Sequence, residues 1–233
     1  TREKYPNADD VLVDDHILNQ YEPDGRAVTW DDTFVKVLTE KGKEDNQTLT
    51  LYFTLPYSTA AFKLVQVIKP DGAVVAVDVE KQSRVMVDRS QMSANIYDPN
   101  DKILSVGVPD LEVGDMVRYV ALKELVKPRV PNTWSEYEVL EYTSPMKHYL
   151  YEVLAPKALP LRRIALKSEV KGTVTYTTEE RGDRVRHRWE VRDVPRMYEE
   201  PNMPALHTVV QRLLVSTIPD WEYVSKWYWN LSE

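Results

Sequence analysis

The 233 residues include no cysteine. That removes disulfides, thiolate nucleophiles and zinc–thiolate centres together. Glycine is scarce, with seven residues spent mostly in turns, and no Gly-rich phosphate loop or Gly-x-Ser-x-Gly nucleophile elbow occurs. His-Glu-x-x-His is missing too, and His16, His148, His187 and His207 are scattered without metal-ligand spacing. No metal, cofactor or catalytic residue is therefore expected. Long apolar runs are also lacking, none approaching the roughly 18 residues of a membrane-spanning helix. Positive charge is in deficit, with a net charge of -7. This argues against a nucleic-acid partner, because phosphate binding needs concentrated Lys and Arg.

What is present is period two. "VLVDDHILNQY" runs into the turn Pro23-Asp24-Gly25 and then "RAVTWDDTFVKVLT", which reads as a hairpin closed by a turn at Lys41-Gly42. "QTLTLYFTL" alternates, with Leu49, Leu51, Phe53 and Leu55 on one face and Thr48, Thr50, Tyr52 and Thr54 on the other. "FKLVQVIKPDGAVVAVDVE" reads as a second hairpin turned at Pro70-Asp71-Gly72. Strands follow at "SRVMVD", "ILSVGV", "DMVRYVALKELV", "WSEYEVLEYT", "KHYLYEVLA", "RIALKSEV", "GTVTYTTEE" and "RVRHRWEVR". Roughly a dozen strands at short spacing predict an all-β fold, a multi-stranded β-sandwich of antiparallel sheets with a short C-terminal helix. A Pro-rich join at 155–163 is a soft boundary inside one elongated domain over 1–217.

The last forty or so residues change character. "DVPRMYEEPNMPALHT" reads as an extended surface strap, and "VVQRLLVST" as a strand or a helical turn. Thr217-Ile218-Pro219-Asp220 then has the form of a helix N-terminus with Thr217 as cap, opening an aromatic-rich segment over 218–233. On that helix Trp221, Val224, Tyr228 and Leu231 share one face, Tyr223 and Trp227 a second, and Trp229 lies away from both. A helix apolar on several sides must be covered on several sides. One side can rest on this domain, and the other needs a partner.

These stretches carry a resemblance. "DVPRMYEEPNMPAL" with "STIPDWEYVSKWYWNL", the opening "YPNADDVLVDDHILNQYEPDGRAVTWDDTFVKVLTEKG" and the central "VPDLEVGDMVRYVALKE" are similar to bacterial domain-of-unknown-function family 3857. That family is the N-terminal β-sandwich found before transglutaminase-like, papain-related domains in exported proteins. The resemblance implies a non-catalytic accessory module that positions such an enzyme domain, or its peptide or protein substrate. It also implies a periplasmic, cell-surface or secreted location, and the start at Thr1 rather than Met fits a removed leader. The interdomain contacts expected are Glu199, Glu200, Met203, Trp221, Trp227, Tyr228 and Trp229. The Cys-His-Asp chemistry of the neighbouring domain cannot come from this chain, which has no cysteine.

Other constellations have ordinary readings beside their functional ones. "RVRHRWEVR" places Val185, His187, Trp189 and Val191 on one strand face and Arg184, Arg186, Arg188 and Arg192 on the other. His187 with Arg186 and Arg188 is a possible ligand contact; the plain alternative is a core histidine behind a row of ion-paired arginines. Asp98, Asn100 and Asp101 have calcium-like spacing but lack the Gly and distal Glu of an EF-hand loop, so a plain turn is expected. The doublets Asp9-Asp10, Asp14-Asp15 and Asp31-Asp32 could furnish acid–base pairs only if the fold made them converge. Trp30, Tyr57, Tyr97, Trp134, Tyr137 and Tyr198 could form a stacking platform for a glycan or peptide, the basis of a carbohydrate-binding or adhesion alternative. Aromatics in strands are also normal core residues.

Overall fold

Strands β1 (Asp10–Tyr21) and β2 (Ala27–Val37) form the first hairpin in the computed structural model, which describes residues 2–90 and 97–231. Gly25 is required at their turn. Its φ is +86°, and a Cβ there would come within 2.3 Å of the Thr133 carbonyl oxygen. The expected turn at Lys41-Gly42 is instead helix α1 (Glu40–Asn46). Thr39 caps it, its hydroxyl accepting from the Gly42 N–H at 3.1 Å. Gly42 lets this helix lie against the start of β1, where a Cβ would sit 2.0 Å from the Asp9 carbonyl oxygen.

Strands β3 (Thr48–Thr54) and β4 (Ser58–Ile68) follow, then the short β5 (Val74–Ala76). The second hairpin is thus shorter than its alternation suggests. Asp78 ends the extended run by accepting from the Lys81 N–H, which starts the single turn α2 (Val79–Gln82). β6 (Ser83–Val87), β7 (Asp101–Gly107) and β8 (Met116–Leu125) complete the first half of the chain. The second half holds β9 (Ser135–Val139), β10 (Met146–Pro156), β11 (Arg163–Lys167), β12 (Val174–Arg181), β13 (Arg184–Val194), α3 (Leu206–Val209), β14 (Arg212–Ser216) and α4 (Trp221–Asn230).

The strands make one eight-stranded sheet, β12-β13-β10-β1-β2-β8-β4-β5, and two three-stranded sheets, β11-β14-β9 and β3-β7-β6. The fold is mostly β with antiparallel pairing and a short C-terminal helix, as the period-two pattern predicts. One pair departs from the antiparallel rule: β1 and β10 run parallel. They join the two halves of the chain within the large sheet. The Pro-rich stretch 155–163 merely links β10 to β11 inside the second half. Positions 232 and 233 of the terminal aromatic segment lie outside the described residues.

Register shows that both small sheets cover the same face of the large one. Asp15 lies opposite Thr33, Thr33 opposite Tyr119, and Tyr119 opposite Val65, so these side chains share a face. At the β4 end that face buries Phe62, Val65 and Val67 against Leu49 and Leu51 of β3 and Leu104 and Val106 of β7. At the β10 end it buries Tyr149, Tyr151 and Trp189 against Leu213 and Val215 of β14, with Tyr21 stacked on Trp134 at 4.6 Å. Two apolar cores therefore sit side by side, with a seam between them over β1 and β2. No described helix is long and apolar enough to cross a membrane.

Candidate functional site

The terminal helix is capped by Asp220, whose carboxylate accepts from the Tyr223 N–H at 2.9 Å. Thr217, the cap expected from sequence, is buried and bonded to the Trp134 backbone, its hydroxyl accepting from the Trp134 N–H at 2.8 Å. It locks the end of β14 to the start of β9 instead. No residue of α4 is buried. Val224 and Trp227 are half-buried, and the Tyr223 hydroxyl donates to the Pro131 carbonyl at 3.2 Å. That side rests on the domain, so Val224 turns inward rather than outward with Trp221. Trp221, Tyr228 and Trp229 are 79%, 70% and 68% exposed.

Trp221 also walls a hollow of about 590 Å³ on the outer face of the β11-β14-β9 sheet, floored by Ala165 and Leu214 and flanked by Tyr137 and Lys167. Glu199, Glu200 and Met203 occupy a separate turn between β13 and α3. There the Met203 N–H donates to the Glu200 carbonyl and the Glu200 N–H to the Met203 sulfur, both at 3.2 Å. Helix α4 thus brings the aromatic candidates together, while the acidic pair belongs to its own turn.

On β13, His187 lies beside the stacked rings of Tyr176 and Trp189, and its Nδ1 lies 2.8 Å from the Tyr176 hydroxyl. Burial pushes its pKa down. The arginines face the other way and meet carboxylates: Arg186 pairs with Glu152 at 2.5 Å, Arg188 with Glu190 at 3.1 Å, and Arg184 with Glu22 at 2.7 Å. Arg186 and Arg188 are therefore engaged within their own sheet. Asp98 closes a local turn, accepting from the Asn100 N–H, and Asp101 accepts from Thr54. No cluster of His, Asp or Glu suited to a metal ion occurs among the described residues. Of the aromatic candidates, Trp134 is core, Tyr57 lies under Arg129 and Tyr198 under Arg196, and Trp30 and Tyr137 stand on different sheets. They form no single platform.

The most unusual chemistry lies in the seam, where sequence reasoning placed no site. Asp15 (β1) and Asp31 (β2) both contact the Thr33 hydroxyl. One hydroxyl carries one proton, so the two carboxyls compete for a single donor. Burial, with the charges of Asp31 and Glu138, holds the Asp15 carboxyl well above the usual carboxylate range. Burial raises Asp31 as well. Across the seam, Glu136 and Glu138 of β9 lie opposite Val215 and Leu213, both core residues, so they share the inward face of the small sheet. Burial pushes Glu138 up to about 7 and raises Glu136, which keeps solvent contact at the rim. Lys123 is the cation facing them.

The Tyr151 hydroxyl is buried without a hydrogen-bond partner, and the Tyr149 hydroxyl is buried against the Glu138 carboxyl. Glu138 is the main charge facing both. A cavity of about 340 Å³ opens beside Asp15, Thr33, Tyr119 and Tyr142. The Asp14-Asp15 and Asp31-Asp32 doublets and the Glu-x-Glu of β9 were the visible signals for this cluster.

No curated protein matches the chain. Among solved structures, a candidate protease from Parabacteroides distasonis shares the fold over 92% of this chain, with a TM-score of 0.80 and 17% identity. The chain spans 41% of that protein's length. An M1 zinc metallopeptidase from Deinococcus radiodurans aligns over 89% of this chain and 42% of its own, at a TM-score of 0.42 and 13% identity. A family 3a carbohydrate-binding module from a Clostridium thermocellum scaffolding protein aligns over 48% of this chain and 74% of its own, at a TM-score of 0.27 and 12% identity. Both of these are too distant to inform function. Residues 23–198 match the family described as a domain of unknown function with solved structure, DUF3857. With most of its length matched, and with the strand order above, the chain belongs to the DUF3857 family.

Proposed function

We propose that the chain is a non-catalytic accessory module that holds and orients a neighbouring enzyme domain through α4 and the outer face of the β11-β14-β9 sheet. The observation carrying this reading is the helix itself. It caps well and rests one side on the domain, yet leaves Trp221, Tyr228 and Trp229 mostly in solvent. Three large aromatics on one short exposed helix are what an interface presents before its partner is in place. The candidate protease supports the reading, since this fold accounts for less than half of its length. The partner is a transglutaminase-like domain in an exported protein, with Glu199, Glu200 and Met203 as a second contact. That domain would supply the thiol that a chain without cysteine lacks.

Deleting residues 218–233 tests the assignment. The sandwich should keep its melting temperature within a few degrees, because Thr217 and β14 are retained. The truncated chain should also lose affinity for a transglutaminase-like domain supplied separately. Unfolding of the sandwich on truncation would mean that the helix belongs to its core.

A further inference from the structure

The hollow walled by Trp221 belongs to the interface proposed above, and its chemistry names the kind of segment that fits there. Only the source of that segment, the neighbouring domain, rests on the earlier reading. Arg163, Ala165 and Lys167 of β11 lie opposite Ser216, Leu214 and Arg212 of β14, which lie opposite Ser135, Tyr137 and Val139 of β9. All of them therefore share the outward face of the small sheet. The walls of the hollow are held from within the chain. The Tyr137 hydroxyl donates to the His207 carbonyl, and Trp221 opens the helix that Asp220 caps. Between them the Ser135 and Ser216 hydroxyls satisfy each other at 2.7 Å.

Two cations are left over. Arg163 and Lys167 line the hollow, and neither side chain has a hydrogen bond or ion pair among the described residues. Arg212, on the same face, is engaged by the Ser168 hydroxyl and the Val210 carbonyl, both at 3.0 Å. The outward arginines of the large sheet differ, since Arg118, Arg184, Arg186, Arg188 and Arg192 all meet carboxylates. One acid, Glu136, enters the lining of the hollow, and it comes from the inward face. Asp220 nearby is engaged as the cap of α4. The chain carries -7 overall, but at about 0.1 M salt charges act over only about 10 Å. The local surplus of cations therefore governs what is attracted here.

We propose that the hollow is a docking groove for an extended acidic segment of the neighbouring domain, with carboxylates at positions i and i+4 around an apolar residue at i+2. Arg163 and Lys167 share one face of β11 with Ala165 between them, which sets them about 13 Å apart along the strand. An extended segment laid along β11 has the same spacing and turns its residues i, i+2 and i+4 to one side. Its carboxylates meet the guanidinium, which can grip one in two-pronged fashion, and the ammonium. Its middle side chain rests on Ala165 and Leu214 between Tyr137 and Trp221, in a space of about 590 Å³. That space is within the range of about 300–1,000 Å³ usual for ligand clefts.

The test is calorimetric titration of the 233-residue chain with the blocked peptide Asp-Thr-Phe-Thr-Asp at low salt. Arg163→Glu combined with Lys167→Glu should weaken binding at least tenfold and create binding of Lys-Thr-Phe-Thr-Lys, which the wild type should refuse. Arg84→Glu, reversing an exposed cation on β6 of the other small sheet, should leave binding unchanged. Glycine in place of the peptide's Phe, Trp221→Ala in the protein, or the shuffled peptide Asp-Asp-Phe-Thr-Thr should each weaken it at least threefold. No binding of Asp-Thr-Phe-Thr-Asp, equal binding of the acidic and basic peptides by the wild type, or indifference to the charge reversal would overturn the assignment. A transglutaminase-like domain that binds the wild type and the doubly reversed variant alike would also overturn it, while leaving the interface itself in place. Peptide binding that follows the charge reversal, with no affinity for that domain, would uphold the groove and remove the interface reading.

Discussion

The two faces of the large sheet treat the same kind of residue in opposite ways. On the outer face, acids meet bases: Asp32 takes a two-pronged contact from Arg118, Asp14 lies 2.5 Å from His148, and Glu152 holds both Arg186 and His16. Burial works to raise the Glu152 pKa, but its bonds to Arg186 and His16 outweigh it and the net shift is downward. The bond from Arg192 lowers Glu190. On the inner side, Asp15, Asp31, Glu136 and Glu138 are all raised by burial, which hydrogen bonds and, at Asp31, Glu136 and Glu138, the charge of Lys123 only partly offset. The doublets Asp14-Asp15 and Asp31-Asp32 each contribute one member to each environment, because successive residues of a strand point to opposite faces. Alternation thus sorts Asp14 from Asp15, and Asp32 from Asp31, into an acid paired on the outer face and one turned towards the seam.

The comparison can be broken most strongly at Glu152. Its side chain is 1% exposed and serves both Arg186 and His16. Glu152→Leu should destabilise the chain by about 3 kcal/mol in urea unfolding, because it strands Arg186 and His16 against an apolar group. A loss below about 1 kcal/mol would mean that the outer network is ornamental. The inner face should respond with the opposite sign. Glu138 holds its proton in the folded chain up to about 7 against an ordinary 4.5. Between those values the folded state binds the extra proton, so stability falls as pH rises through the window and the penalty is complete above it. Glu138→Gln should therefore stabilise the protein at pH 8 by roughly 1–3 kcal/mol and change little at pH 4. Parallel pH profiles for the two proteins would contradict this.

Glu152 and Glu190 lose their contribution as pH falls through their lowered values, so the wild-type chain should be most stable in mild acid, near about pH 5. Thermal melts across pH would locate that maximum. The smallest effect belongs to Arg118 and Asp32, a pair about one-third exposed on each side. A double-mutant cycle with Arg118→Ala and Asp32→Ala should return a coupling of no more than about 1 kcal/mol.

Most of the strands, both Pro-Asp-Gly turns and the all-β class were legible from alternation, because burial on one face imposes period two whatever the topology. The faces of β3 read correctly at Leu49 and Leu51, which are buried. What failed depended on contacts distant in sequence. Helix α1 was hidden because Gly42, a turn signal by composition, is there for its closeness to Asp9. Thr217 and Asp220 both suit a helix cap, and only the bond from Thr217 to Trp134 separates them. The many-sided apolar character of α4 was readable, whereas the inward turn of Val224 was not. The acidic doublets were visible, but their convergence requires the β1–β2 register and the placing of β9 above it, neither of which is local.

The parallel pairing of β1 with β10 has a consequence for the order in which the chain is made. Every strand of the first half finds its partners within residues 10–125, apart from one flank of β1. A ribosome therefore releases a segment able to close two sheets while that flank, near the middle of the finished molecule, is still an open rail of N–H and C=O groups. The rail is filled only when residues 146–156 arrive, running in the same direction. Until then the nascent chain offers a strand-sized template, and its own second half is the inhibitor that keeps foreign strands out.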